Sequence, residues 1–132
     1  MQTNIKVRGY HLDVYQHVNN ARYLEFLEEA RWQWLEQSDH FHWLSEHQLA
    51  FVVVNININY RQPARLNDEL IISSQLSELN NKSGVIVQNV LLAGGNSVIA
   101  DARITFVCID LKDQRAVPLV GELRQKIQAM QG

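Results

Sequence analysis

The sequence predicts an α+β fold: one long apolar helix near the N-terminus, a five-stranded antiparallel sheet wrapped around it, and a short C-terminal helix. Two observations carry this reading. From Ala21 to about Gln37, Tyr23, Leu24, Phe26, Leu27, Ala30, Trp34 and Leu35 recur at helical spacing. From Ala50 the period becomes two, and only short turns separate the runs that follow. Short turns join antiparallel neighbours. A sheet with one apolar face and a helix this apolar cover each other when the sheet curls around the helix.

The elements follow in order. Between Asn4 and Arg8, Ile5 and Val7 alternate with Lys6 and Arg8, a short strand ended by Gly9. A polar loop runs to Asn19-Asn20, either of which suits the helix N-cap. Arg22, Glu25, Glu29, Gln33 and Glu36 form a polar stripe narrower than the apolar face, so the helix is expected to be mostly buried with one wet edge. Arg22 with Glu25, and Glu28 with Arg31, have the spacing of ion pairs one turn apart. Ser38-Asp39 breaks the pattern, and Phe41 to His47 reads as a short helical turn.

Val52, Val54, Ile56, Ile58 and Tyr60 then alternate with Val53, Asn55, Asn57, Asn59 and Arg61, up to Pro63. Leu70, Ile72 and Leu76 mark the next strand, closed by the turn-like Asn80-Asn81-Lys82-Ser83-Gly84. Val85 to Leu92 is another, followed by a hairpin turn at Gly94-Gly95-Asn96. Val98, Ala100, Ala102, Ile104, Phe106 and Cys108 share one face of the last long strand. Pro118 precedes a helix from about Gly121 to Met130.

Composition narrows the function classes. With 132 residues and neither linker nor repeat, residues 1–132 are expected to form a single domain. A net charge of −2 offers no general attraction for nucleic acid or an anionic membrane, so any anionic ligand must meet a local patch. Cys108 is the one cysteine, which rules out an internal disulfide framework and a multi-thiolate zinc site. No uncharged apolar run approaches a membrane span, and the start lacks the pattern of a signal peptide. The expected compartment is the cytoplasm.

The stretch from His11 to Arg31 holds the candidate chemistry. A carboxylate, Asp13, lies just before a helix whose first N–H groups have no intrahelical partner and whose dipole favours negative charge. On residue type alone, Asp13 reads better as the Asp of a loop Asx-turn before the helix. His17 lies four residues on, placed to orient Asp13, to meet a substrate or to bond the loop backbone. His40, His42 and His47 sit among Phe41, Trp43 and Leu44, the pattern of an amphipathic lid or a solvated turn. His17 has no further ligand at usable metal-site spacing, and adventitious metal binding by His40, His42 and His47 is a weaker reading than the lid or turn.

The run Asp13-Val14-Tyr15-Gln16-His17-Val18-Asn19-Asn20-Ala21-Arg22-Tyr23, the later Glu28-Glu29-Ala30-Arg31, and the strand exit Tyr60-Arg61-Gln62-Pro63-Ala64 to Asp68 together resemble the hotdog-fold acyl-CoA thioesterases of the 4-hydroxybenzoyl-CoA thioesterase type. The resemblance covers Ile5 to about Ile109 and runs to the bacterial long-chain branch associated with fatty-acid degradation. It implies hydrolysis of medium- to long-chain fatty acyl-CoA to free acid and coenzyme A. It implies no metal or redox cofactor, coenzyme A being part of the substrate. It also implies a homo-oligomer, a dimer or a dimer of dimers (a homotetramer), with the site between subunits.

By the same resemblance Asp13 is the catalytic carboxylate, either general base or nucleophile. Asn20, seven residues further on, gives its backbone N–H to the thioester carbonyl. His17 is a supporting residue with its three roles open. Coenzyme A phosphates need cations, and Arg61, Arg65 and Lys82 are the candidates, though each taken singly reads better as an ordinary surface charge. An acyl tail would lie against Tyr23, Phe26 and Leu27 of the helix and Val54, Ile56 and Ile58 of the strand, which equally read as core. Glu25, Glu28 and Glu29 are second choices for the catalytic carboxylate, with Glu28 more simply paired to Arg31. Two rivals stand beside hydrolysis. One is a non-catalytic acyl-CoA sensor or scaffold, and the other a hotdog enoyl-CoA hydratase or dehydratase. The loop lacks the Asp-x-Asn-x-x-His look of the hydratase branch.

Overall fold

The computed structural model describes residues 1–95 and 97–130, so Asn96 of the expected hairpin turn lies outside the described residues. Strand β1 (Gln2–Lys6) leads through a 3-10 turn (Gly9–His11) and a loop into helix α1 (Asn20–Glu36). Helix α2 (His40–Glu46) follows, then β2 (Leu49–Tyr60), β3 (Glu69–Leu79), β4 (Gly84–Leu92) and β5 (Val98–Asp110). A two-residue strand β6 (Arg115–Ala116) and helix α3 (Gly121–Ala129) complete the order. No helix among the described residues is long and apolar enough to cross a membrane.

The sheet runs β1-β3-β4-β5-β2 with every neighbour antiparallel, and β6 pairs with β5. β1 and β2 therefore lie at opposite edges, and the chain crosses one face of the sheet between them as α1. This is the expected hotdog arrangement. Tyr23, Phe26, Leu27 and Ala30 of α1 pack with Leu70 and Ile72 of β3, Val90 of β4 and Ile104 of β5. At the other end of α1, Trp34 joins Leu44 of α2, Phe106 of β5, and Leu123 and Ile127 of α3.

The register slips between Val53 and Asn55 of β2, between Leu76 and Glu78 of β3, and between Val90 and Leu91 where β4 meets β5. An extra residue bends a strand and increases its twist, which is how a long sheet curls around a helix. The slip in β2 also resets its alternation. Phe51 and Val53 oppose the inward Cys108 and Phe106, whereas beyond the bulge Ile56 and Ile58 oppose Ile104 and Ala102. Val54, expected on the inner face, is the inserted residue and is 56% exposed.

Other differences each follow from particular contacts. β1 begins and ends two residues early because polar Thr3 extends the inward set of Ile5 and Val7; it is buried opposite Ile72. The expected Glu28–Arg31 pair does not form. Arg31 Nη1 donates to Gln88 Oε1 (2.9 Å), and Glu28 accepts from Trp32 Nε1 (3.3 Å). Arg22 and Glu25 do pair, at 2.8 Å. α1 also shows more apolar surface than one wet edge, with Leu24 39% and Trp32 41% exposed. Gly84, expected in a turn, starts β4 instead, and a Cβ there would run into the ring of Phe106.

His11 ties the start of the loop to this core. Its Nδ1 accepts the Arg8 N–H (2.8 Å), its ring lies edge-on to Phe26 (4.9 Å), and its carbonyl accepts the Asn19 N–H (2.9 Å). Burial, helped by the nearby Arg22 guanidinium and opposed by Glu25, lowers the imidazole below its usual 6.5. Burial also lowers His40, whose ring nitrogen meets the Ser38 hydroxyl.

Two stability measurements follow from this packing. Gly84→Ala is expected to destabilise by about 1–3 kcal/mol through overpacking against Phe106, read as a lower urea midpoint. An unchanged midpoint would show that the ring gives way freely. His11 and His40 bind protons more weakly folded than unfolded, so their contribution is fully present above about pH 6.5 and lost as pH falls through the lower folded values. The urea midpoint should drop as pH falls below 6.5, and His11→Gln should flatten that drop.

Candidate active site

The loop before α1 is closed on itself. Leu12 and Val18 bridge antiparallel, the Asp13 N–H donates to the His17 carbonyl (2.8 Å), and the Gln16 N–H to the Asp13 carbonyl (3.1 Å). Gln16 takes a left-handed φ of 64° to complete the turn. Asp13 Oδ1 accepts the backbone N–H groups of Tyr15 (2.8 Å) and His17 (3.2 Å). The Asx-turn is thus present, and it fixes the carboxylate. Oδ2 takes no part in those bonds. The loop base is held by Val18 N–H on the Ala64 carbonyl (2.9 Å), while Val14 and Tyr15 at its tip are exposed.

Asn19, not Asn20, is the N-cap: its side chain accepts the Ala21 N–H at 2.9 Å and its carbonyl the Arg22 N–H at 2.9 Å. Asn20 is the first helical residue, and its N–H takes no part in these capping bonds. Its carbonyl accepts the Tyr60 hydroxyl (3.2 Å), which pins the first turn of α1 to the end of β2. Beneath it Tyr23 is buried, its ring 5.6 Å from that of Tyr60. Burial raises the Tyr23 phenol; the Ala64 backbone opposes this, while Tyr60, Asp68 and Asp13 add to it.

His17 touches Asp13 through its backbone, not its ring. The ring Nε2 lies 3.5 Å from the Arg65 guanidinium, whose own backbone N–H donates to Asp68 Oδ2 (2.8 Å). Arg65 therefore stands beside the loop. Arg61 stands near the end of β2 but is committed to Asp101, Nε to Oδ2 at 2.8 Å. The Arg61 hydrogen bonds, opposed by burial and aided by Asn59, hold the Asp101 carboxyl below its usual range. Lys82 lies in the turn at the far end of β3, about 30 Å along the strand from Arg65 and Asp68. One chain does not bring it to Asp13.

A cavity of about 650 Å³ opens between α1 and the β2 side of the sheet. Leu24, Trp32 and Leu35 line it from α1, and Phe51, Val53 and Ile56 from β2. Of the six residues expected along an acyl tail, Ile56 alone lines it. Tyr23, Phe26 and Leu27 face the opposite way into the core, Val54 is displaced by the bulge, and Ile58 packs against the core cluster. The cavity begins one helical turn beyond Asn20.

Two features escaped the sequence reading. Tyr60 reads in the sequence only as one of the alternating residues of its strand, yet its hydroxyl donates to the Asn20 carbonyl at the start of α1. Gln88 lies fully buried beneath α1, bonded to Arg31, Ser74 and the Leu27 carbonyl. Its signal was available, since a lone amide shares inward parity with Ile86 and Val90. The remaining reactive groups lie elsewhere. Burial pushes the Cys108 thiol up to about 11, leaving it protonated at neutral pH. His42 pairs with Glu46 (2.9 Å), and His47 stacks on Trp43 (4.1 Å).

Comparison with known proteins places this geometry in context. The profile of the thioesterase-like superfamily matches residues 7–127. The chain is 68% identical over 130 residues to the long-chain acyl-CoA thioesterase FadM of Escherichia coli K12, covering 98% of each chain. It is 34% identical over 116 residues to the acyl-CoA thioester hydrolase YbgC of Escherichia coli O6:H1, covering 82% of this chain and 84% of that one. The crystal structure of the probable thioesterase YbaW from Escherichia coli superposes with a TM-score of 0.95 at 67% identity, covering 100% of this chain and 99% of that one. With the profile spanning nearly all of the sequence and both relatives above 30% identity, the chain belongs to the thioesterase-like superfamily.

Proposed function

We propose that this chain is an acyl-CoA thioesterase, a single domain that hydrolyses medium- to long-chain fatty acyl-CoA to free acid and coenzyme A. One observation carries the reading. Asp13 is locked through Oδ1 with Oδ2 outside its turn, beside an α1 N-terminus whose Asn20 N–H takes no part in capping. The thioester carbonyl oxygen accepts that N–H, where the helix dipole stabilises the charge growing on oxygen. Asp13 Oδ2 either takes a proton from the attacking water or attacks the carbonyl itself. In both routes the acyl–sulfur bond breaks and the thiolate leaves, taking up a proton; in the second route water then cleaves the acyl–Asp13 anhydride, which releases the free acid and restores the carboxylate. The His17 N–H bonds the carboxylate and its ring lies against Arg65, and the cavity beside α1 takes the acyl chain.

The wider assignments rest on the same reading. No metal or redox step is invoked. β2 is an edge strand with exposed Val53 and Val54, a surface that a second copy covers in a dimer or dimer of dimers. Arg65 is the best-placed cation for the coenzyme A phosphates, because Arg61 is occupied by Asp101. The compartment assigned is the cytoplasm. The sensor reading keeps the same pocket without the chemistry, and Asp13 is what separates the two.

Thiol release from a panel of acyl-CoAs tests the proposal. Asp13→Asn keeps an oxygen for the Asx-turn and removes the base, so kcat should fall by about 10²–10⁴ with the fold intact; full activity would refute the mechanism. Asn20→Pro tests the backbone donor directly. Proline suits the first helical position, and Asn19 already has the extended φ −62°, ψ 137° that a following proline requires. Its kcat should fall about 10²–10³ further than that of Asn20→Ala, which keeps the N–H. Tight binding without thiol release at any chain length would favour the sensor.

A further inference from the structure

The cavity that takes the acyl chain is not wholly apolar. Arg31 lines it, with a largely desolvated guanidinium that belongs to none of the ion pairs among the described residues. A guanidinium carries five N–H donors, and one of them is engaged, on Gln88 Oε1 at 2.9 Å. Gln88 cannot turn to offer more. It is fully buried, and its Nε2 donates to the Leu27 carbonyl (3.1 Å) and to Ser74 Oγ (2.9 Å). Arg31 is therefore held in place by Gln88, with donors left over at the wall of a space whose lining is mostly apolar, Glu25, Glu28 and Ser45 being its other polar residues.

We propose that the Arg31–Gln88–Ser74 cluster reads an oxygen on the acyl chain, and that the preferred acyl group bears a neutral hydroxyl or oxo group on its distal part. The inference rests on the acyl-CoA reading above. Two physical arguments choose the group. Glu25 and Glu28 line the same cavity, and Glu28 already acts on Arg31 through space. A further anion would be repelled, whereas an acceptor is what the spare donors lack. Position follows from the helix. Arg31 is eleven residues beyond Asn20, about 16 Å along the axis, and its side chain leans back toward the N-terminus. The oxygen then meets Arg31 well down the chain, not beside the thioester.

The test compares lauroyl-CoA, ω-hydroxylauroyl-CoA, β-hydroxylauroyl-CoA and the mono-CoA thioester of dodecanedioic acid, all by thiol release from the wild-type enzyme. The expected result is a kcat/KM for the ω-hydroxy substrate about tenfold above lauroyl, with no such gain for the β-hydroxy isomer. Arg31→Met should reverse the preference, because a buried hydroxyl without a partner is penalised. Arg31→Lys, which keeps the charge, should restore part of it. Faster hydrolysis of lauroyl than of ω-hydroxylauroyl by the wild type overturns the inference whether or not the variants fold. So does an equal gain with the β-hydroxy isomer, a still larger gain with the diacid, or a ratio unmoved by Arg31→Met. No thiol release from any of the four would instead remove the hydrolase reading beneath it.

Discussion

The constraint on which the rest depends is the placement of β1 and β2 at opposite edges of one sheet. The chain between them has to cross the sheet, and backbone crossing an apolar face must satisfy its own hydrogen bonds. A helix does this. The crossing also decides the composition of α1, whose Tyr23, Phe26, Leu27, Ala30 and Trp34 are buried against strands from Leu70 to Phe106. The same geometry brings the N-terminus of α1 to the exit of β2, where Tyr60 and Ala64 hold it.

Holding that terminus has chemical consequences. Asn19 supplies the capping bonds, which leaves the Asn20 N–H outside them. Asp13 is fixed through one oxygen by the backbone of its own turn. An Asx-turn and a catalytic carboxylate are therefore not competing descriptions of this residue. The turn removes the side-chain freedom that a positioned base or nucleophile would otherwise lose on reaching its transition state. Tyr23, which the sequence places next to this chemistry, works from below as part of the packed floor.

The bulges divide the space around α1 unevenly. On one side the helix meets a filled core, and on the other the reset alternation of β2 turns Phe51, Val53 and Ile56 toward a cavity. That cavity also receives Arg31, which local spacing assigned to Glu28. An i,i+3 pair is worth only a few tenths of a kcal/mol on an exposed helix. A buried amide acceptor on a neighbouring strand competes easily with it.

Periodicity determined the element types and order here, because helical and strand spacings differ enough to be read in Tyr23 to Leu35 and in Val52 to Tyr60. The motif from Asp13 to Tyr23 pointed to the loop and helix start, because those residues are adjacent in the chain and their bonds are local. Tertiary structure alone decided the rest. Where β2 inserts an extra residue, that Lys82 lies far from Asp13, and that Gln88 draws Arg31 away from Glu28 all depend on contacts between residues distant in sequence. Such contacts are set by the register and curl of the sheet, and one inserted residue at Val54 is enough to exchange the inner and outer faces of a strand.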